Sequence, residues 1–161
     1  MFGNSPTSTG RRASQRLILG LAALAIAFLL KWGYSQASVE HLWPVLSPTA
    51  WLVSKMTGLP FSYEQGVGFA NIQSNVFIVK SCAGVNFLIA LFVLLTWIRY
   101  GRGTPPRWSQ LGEDLVIAYG WTLMANSVRV VLTLVSKHQG WTVSILTFED
   151  MHRVQGVGVY F

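Results

Sequence analysis

The sequence predicts an all-α polytopic membrane protein with three spanning helices, the start of a fourth helix, an interfacial helix and a short extracytoplasmic β-hairpin. Hydrophobic residues make up 52% of the 161 positions and charged residues only 11%, whereas about a quarter of the residues in a soluble domain are charged. The apolar residues form long runs that short arginine clusters flank, as in membrane proteins. Because the net charge of +6 follows from these clusters, we do not expect nucleic-acid binding.

The first spanning helix is predicted at residues 17–34, after a cytoplasmic tail at residues 1–16. As a helix this apolar run is about 27 Å long, and it ends in the aromatic residues that typically mark a membrane interface. A cleaved signal peptide is the alternative, because an Arg-rich start, a short apolar core and the small residues Ser35 and Ala37 also fit that pattern. In both cases the chain after Tyr34 lies on the outer side.

Residues 35–84 are predicted to form an extracytoplasmic segment that contains the interfacial helix and the hairpin. The stretch at 41–59 mixes tryptophan and leucine with prolines and polar residues, so it is too polar to span and predicts a helix that lies in the membrane interface. Two β-prone stretches follow at 67–72 and 76–79, and the polar residues between them predict a hairpin turn.

The second spanning helix is predicted at 85–100, followed by a cytoplasmic loop at 101–114 and a third span at 115–136. Arginines are concentrated around the two short segments assigned to the cytoplasm, as the positive-inside rule requires. Residues 137–161 are predicted to be an extracytoplasmic segment with the start of a fourth helix. The last apolar piece, 154–161, is too short to span, so either the sequence is a fragment or this end lies in the interface.

Cys82 is the only cysteine of the chain, so an internal disulfide is impossible. No Cys/His pair has the spacing of metal ligands, and we expect neither a metal nor a cofactor. The cysteine lies at the start of a helix that begins near Gly84, where unpaired N–H groups and the helix dipole favour a thiolate. Ala83 and Gly84 are small enough to let a peptide backbone approach the thiol. The alternative is that Cys82 only fills space in an apolar environment.

Arg129 lies inside the third predicted span, and a charged residue there is a functional hypothesis by default. It is about 21 Å from the cytoplasmic start of the helix, which brings it near the level of Cys82 at the outer face. Asn126 lies three residues earlier on the same helix face. The alternative is an arginine that extends to a lipid phosphate.

His152 is the candidate for an acid–base residue, because Glu149 and Asp150 lie beside it and can orient an imidazole. His138 and His41 are also predicted on the outer side and remain alternatives. A thiol, a guanidinium and an imidazole at one depth predict a cysteine acyl-transfer site at the outer edge of the bilayer.

Three short motifs in this order resemble the exosortase/archaeosortase family. They are the Cys-Ala-Gly sequence at 82–84 before a span, the Asn-x-x-Arg sequence at 126–129 near the end of the next span, and His152 followed by Gly156. The resemblance covers roughly residues 42–161. It implies that the cysteine, arginine and histidine of these motifs are catalytic, and the shortness of the chain points to a small exosortase subtype.

The resemblance also implies a membrane cysteine transpeptidase or protease that cleaves the C-terminal sorting signals of exported proteins through a thioacyl-enzyme. Its partners are then membrane lipid and exported proteins that carry a sorting motif, an apolar helix and a basic tail. We expect a multi-pass protein of the cytoplasmic (inner) membrane with its site facing the periplasm or cell exterior, and with Asn126, Ala83 and Gly84 contacting the substrate. The alternative is a non-catalytic membrane scaffold or assembly subunit, in which Cys82 packs and Arg129 pairs helices or contacts lipid head groups.

Overall fold

The computed structural model describes residues 8–101 and 107–138. Within these ranges the chain forms α-helices, short 3₁₀ turns and one small antiparallel sheet. In chain order the elements are α1 (Ser8–Gln36), a 3₁₀ turn (Glu40–Leu42), α2 (Trp43–Thr57), β1 (Ser62–Glu64), β2 (Gly68–Asn71), β3 (Val76–Ile78), a second 3₁₀ turn (Lys80–Ala83), α3 (Val85–Gly101) and α4 (Ser109–His138).

Three of the described helical segments are long and apolar enough to cross a membrane: Ser14–Gln36, Lys80–Tyr100 and Ser109–Ser136. They correspond to the three predicted spans, which confirms the polytopic helical fold class. The chain is therefore a multi-pass membrane protein. The predicted start of a fourth helix, together with the rest of the chain after residue 138, lies outside the described residues.

The helix α4 begins at Ser109, six residues before the predicted start of the third span at 115. The charged pair Glu113 and Asp114 lies within the predicted cytoplasmic loop, and Arg99 of α3 compensates both carboxylates. Its guanidinium nitrogens lie 3.0 Å from Glu113 Oε2 and 2.6 Å from Asp114 Oδ1. The buried Asp114 also accepts a hydrogen bond of 3.3 Å from the Thr96 hydroxyl. Because the acidic residues are paired, the helix extends through them.

The first of two compact units lies within residues 1–35 and 85–120 and contains α1, α3 and the first part of α4. Its core joins large and small apolar side chains from all three helices. Small residues at these positions let helices approach closely in a membrane. The buried core residues are Leu19, Ala23, Phe92, Leu111 and Ala118.

The second unit lies within residues 36–84 and 121–161, and α2 packs one face into its core. The buried residues of that face recur at the helical period: Leu46, Thr49, Ala50 and Val53. Trp43, Trp51 and Met56 are exposed. The helix predicted at 41–59 is thus observed at Trp43–Thr57, and among the described helices it is not a candidate span. Its interfacial position stays a prediction.

The sheet has the order β1-β2-β3, and both pairs are antiparallel. The strands β2 and β3 form the predicted hairpin, and β1 is an additional strand that the sequence did not indicate. The register aligns Tyr63, Phe69 and Ile78 across the three strands. Trp43 packs on this sheet face, with ring centroids 4.9 Å from Tyr63 and 5.1 Å from Phe69. These aromatic contacts hold α2 against the sheet.

Candidate active site

The only cysteine lies on the 3₁₀ turn between β3 and α3. A backbone hydrogen bond and a left-handed glycine fix the conformation of this turn. The N–H group of Cys82 donates to the carbonyl of Val79 at 2.8 Å, and the turn ends at Gly84 in the left-handed conformation with φ 61°. Cys82 is only 3% exposed and Ala83 is fully buried. The sequence predicted a helix start near Gly84, and α3 begins at Val85, so the cysteine lies just before the helix.

Lys80 anchors the start of this turn. Its ammonium group donates a hydrogen bond of 2.6 Å to the carbonyl of Ala37, in the segment that follows α1. The two residues are 43 positions apart, and no pattern in the sequence pointed to this contact. The turn that carries Cys82 is therefore held both by its own backbone and by a distant part of the same unit.

Arg129 of α4 reaches the same turn. Its side chain is buried, with 5% of the residue exposed, and guanidinium nitrogen Nη2 donates to the carbonyl of Ser81 at 3.4 Å. Ser81 directly precedes Cys82 in the chain. The contact joins two segments that are 48 residues apart. A positive charge is thus held beside the turn that carries Cys82. Burying a guanidinium costs free energy unless its N–H donors make hydrogen bonds.

Asn126 lies one helical turn before Arg129 and packs against Gly84. The asparagine is fully buried. A Cβ atom added to Gly84 lies 2.5 Å from both the Nδ2 and Oδ1 atoms of Asn126, so only glycine fits here without displacing the amide. Five of the six candidate residues, Cys82, Ala83, Gly84, Asn126 and Arg129, therefore come together where α4 meets the turn.

The three candidate histidines differ in whether the structure describes them. His152 lies outside the described residues, and α4 ends at His138. His41 is exposed on the 3₁₀ turn Glu40–Leu42, with its Nδ1 atom 2.8 Å from the hydroxyl oxygen of Ser38. The assignment of the catalytic histidine stays a prediction.

The donor set of the described site is a thiol, an amide and a guanidinium. In the part of the chain that the structure describes, no group of three or more His, Cys, Asp or Glu residues could hold a metal ion. A cysteine on a turn that a guanidinium and an amide contact is an arrangement suited to nucleophilic acyl transfer.

Comparison with known protein families gives a match. The family model described as transmembrane exosortase matches residues 2–161. No curated protein and no solved structure matches the chain. The family match covers nearly the whole sequence, including the cysteine turn, the polar face of α4 and the segment that contains His152. The chain belongs to the transmembrane exosortase family.

Proposed function

We propose that this protein is a membrane cysteine transpeptidase or protease that cleaves the C-terminal sorting signals of exported proteins. One observation carries the proposal: Arg129 of α4 donates a hydrogen bond to the carbonyl of Ser81, the neighbour of the only cysteine. Membership of the exosortase family supports a transpeptidase role in protein sorting. The positive-inside distribution of arginine supports a site at the outer face of the cytoplasmic membrane.

Arg129 is suited to stabilising negative charge during the reaction. A guanidinium carries five N–H donors in a fixed plane, so it can hold the Ser81 carbonyl and still donate to a substrate oxygen. Because the Arg129 side chain is buried, water screens its charge only weakly.

The first half-reaction forms a thioester and releases the substrate's membrane anchor. The Cys82 thiolate attacks the carbonyl carbon of the scissile peptide bond, which forms an S–C bond and places negative charge on the carbonyl oxygen. Arg129 and Asn126 donate to that oxygen, and one such donor typically contributes about 3 kcal/mol. His152, acting as general acid, gives a proton to the leaving nitrogen as the C–N bond breaks.

The second half-reaction resolves the thioester. Water or an amine attacks the thioester carbonyl, His152 accepts a proton from this nucleophile, and the S–C bond breaks to return the thiolate. The product is the exported protein without its C-terminal apolar helix and basic tail. Every step uses side chains of the protein and the incoming nucleophile.

A processing assay in membranes tests the proposal. The probe is a reporter protein that carries the C-terminal sorting motif, apolar helix and basic tail of an exported protein from the same organism. We expect Cys82→Ala to abolish shortening of the reporter and Arg129→Lys to slow it by about 100-fold, since the charge remains but its donor geometry is lost. Val128→Ala, an exposed position beside Arg129 on the same helix, is the control and should process normally.

The burial of Cys82 favours one other candidate function, a non-catalytic scaffold in which the thiol is a packing group. That function predicts that shortening of the reporter does not differ between membranes with the wild-type protein and membranes with Cys82→Ala when both are inserted at equal levels. Such a result contradicts catalysis by Cys82.

Single substitutions of the three histidines test the acid–base assignment. We expect His152→Ala to abolish processing, and His138→Ala and His41→Ala to retain it. An active His152→Ala variant together with an inactive His138→Ala variant contradicts the role given to His152.

A further inference from the structure

The strand β3 lies at one edge of the sheet and has an unpaired side. On its inner side Val76, Phe77 and Ile78 pair with β2. Within residues 8–101 and 107–138, the backbone groups on its outer side make no hydrogen bond. An edge of this kind is a template to which an extended peptide can add as a further strand.

This edge leads directly to the cysteine turn. Val79 continues the strand in an extended conformation, with φ −103° and ψ 179°, and its carbonyl accepts the N–H of Cys82 at 2.8 Å. The cysteine backbone therefore lies one short turn beyond the end of β3. The opposite edge, β1, is separated from β3 by the width of two strand spacings, about 10 Å. Of the two edges, β3 is the one beside Cys82.

We propose that the sorting motif of the exported substrate binds as a fourth strand along the outer edge of β3, with its scissile carbonyl beside Cys82. This proposal rests on the function proposed above and names how that site holds its substrate. Backbone hydrogen bonds to β3 hold any extended sequence, so they supply affinity while the neighbouring side chains supply selectivity.

Phe77 is the side chain on β3 that can contact side chains of the substrate and so contribute to selectivity. It is 43% exposed, while its neighbours Val76 and Ile78 are buried. Because side chains alternate along a strand, every second residue of the motif lies on the face that Phe77 occupies. A cross-strand contact of this type is worth up to about fivefold in rate. We expect Phe77→Ala to slow processing by about that factor, and Ile72→Ala, an exposed residue outside the strands, to leave it unchanged.

Disulfide cross-linking in membranes tests the docking mode. The enzyme carries Cys82→Ala together with either Phe77→Cys on the β3 edge or Tyr63→Cys on the β1 edge, two residues of similar exposure, 43% and 37%. The probe is the reporter described above, chosen as one that is shortened in membranes that contain the wild-type protein. A single cysteine is moved along its sorting motif, and an oxidant is added before electrophoresis.

We expect cross-links from Phe77→Cys at every second position of the motif and none above background from Tyr63→Cys. Equal cross-linking at both edges, stronger cross-linking at Tyr63→Cys, or no periodicity along the motif overturns the proposal. Failure of the docking and failure of the function are distinguishable, because the cross-linking uses an inactive enzyme. Cys82-dependent shortening without the Phe77→Cys pattern overturns the docking alone, whereas shortening that persists in Cys82→Ser overturns the catalytic role.

Discussion

Gly84 and Gly58 have the same left-handed backbone conformation but different surroundings, and this pair gives a quantitative prediction. Their φ and ψ angles are 61° and 22° for Gly84, and 72° and 0° for Gly58. A Cβ atom on Gly84 lies 2.5 Å from two atoms of the Asn126 amide and 2.9 Å from its Cγ atom, whereas one on Gly58 meets nothing within 4 Å. Substitution by alanine therefore isolates the packing of Gly84 on Asn126.

The expected destabilisation follows from two contributions. Alanine in the left-handed conformation costs about 1–2 kcal/mol at either position. At Gly84 the added methyl group must also displace a fully buried side chain, and overpacking of that kind costs about 1–3 kcal/mol. We expect Gly84→Ala to lower the free energy of unfolding by about 2–5 kcal/mol and Gly58→Ala by about 1–2 kcal/mol.

The assay is denaturant unfolding in detergent, followed by the fluorescence of the seven tryptophans. A double-mutant cycle with Asn126→Ala completes it, because truncating the amide removes the clash. In that background Gly84→Ala should cost only about 1–2 kcal/mol, as at Gly58. Equal effects of the two glycine substitutions in the wild-type background, or an unchanged effect of Gly84→Ala after Asn126→Ala, refute the packing described here.

Three further predictions concern other parts of the two units. Asp114→Asn removes the buried partner of an arginine and should lower the free energy of unfolding by about 1–3 kcal/mol, less than for a fully buried pair because the arginine is partly exposed. Gly68→Ala should destabilise the sheet by at least about 2 kcal/mol, because φ is 126° and the added Cβ meets the Ile78 carbonyl oxygen. The pKa of Glu40 is lowered from 4.5, chiefly by a hydrogen bond from Ser38, so its stabilising effect is present above that value and is lost as the pH falls through the lowered pKa.

Each of these predictions has a matched control in the same assay. Glu113→Gln, at a carboxylate that is 55% exposed, should change the free energy of unfolding by less than about 1 kcal/mol. Gly66→Ala introduces no contact within 4 Å and should cost less than Gly68→Ala. Glu40→Gln should reduce the loss of stability between about pH 5 and pH 3. The accounts of these sites are wrong if the control in each pair has the larger effect, or if Glu40→Gln leaves the pH dependence unchanged.

The spans were predictable because a membrane requires long apolar runs, and those runs stand out in the sequence. The helix α4 begins six residues before the predicted span, because Arg99 of α3 compensates its acidic residues, and a contact between two helices leaves no local pattern. The strand β1 was missed for a related reason. Of its three residues, Ser62–Glu64, only Tyr63 favours a strand, and the segment becomes a strand by pairing with β2.

The approach of α4 to the cysteine turn was predictable from chemistry rather than from periodicity. A charged residue inside an apolar run requires a polar partner, and its depth in the span pointed to the level of Cys82. The contacts that fix the site were not predictable. The bond from Lys80 to the Ala37 carbonyl and the packing of Gly84 on Asn126 join residues more than 40 positions apart, and neither leaves a local pattern.

Mass analysis of the enzyme during turnover tests the central claim most directly. The reaction with the reporter is stopped with acid, and the peptide that contains Cys82 is isolated and weighed before and after treatment with hydroxylamine, which cleaves thioesters. The account predicts that this peptide carries a fragment of the cleaved reporter through a hydroxylamine-sensitive bond, and that the Cys82→Ala variant forms no such adduct. Normal cleavage of the reporter with no adduct on Cys82, or with the adduct on another residue, contradicts it.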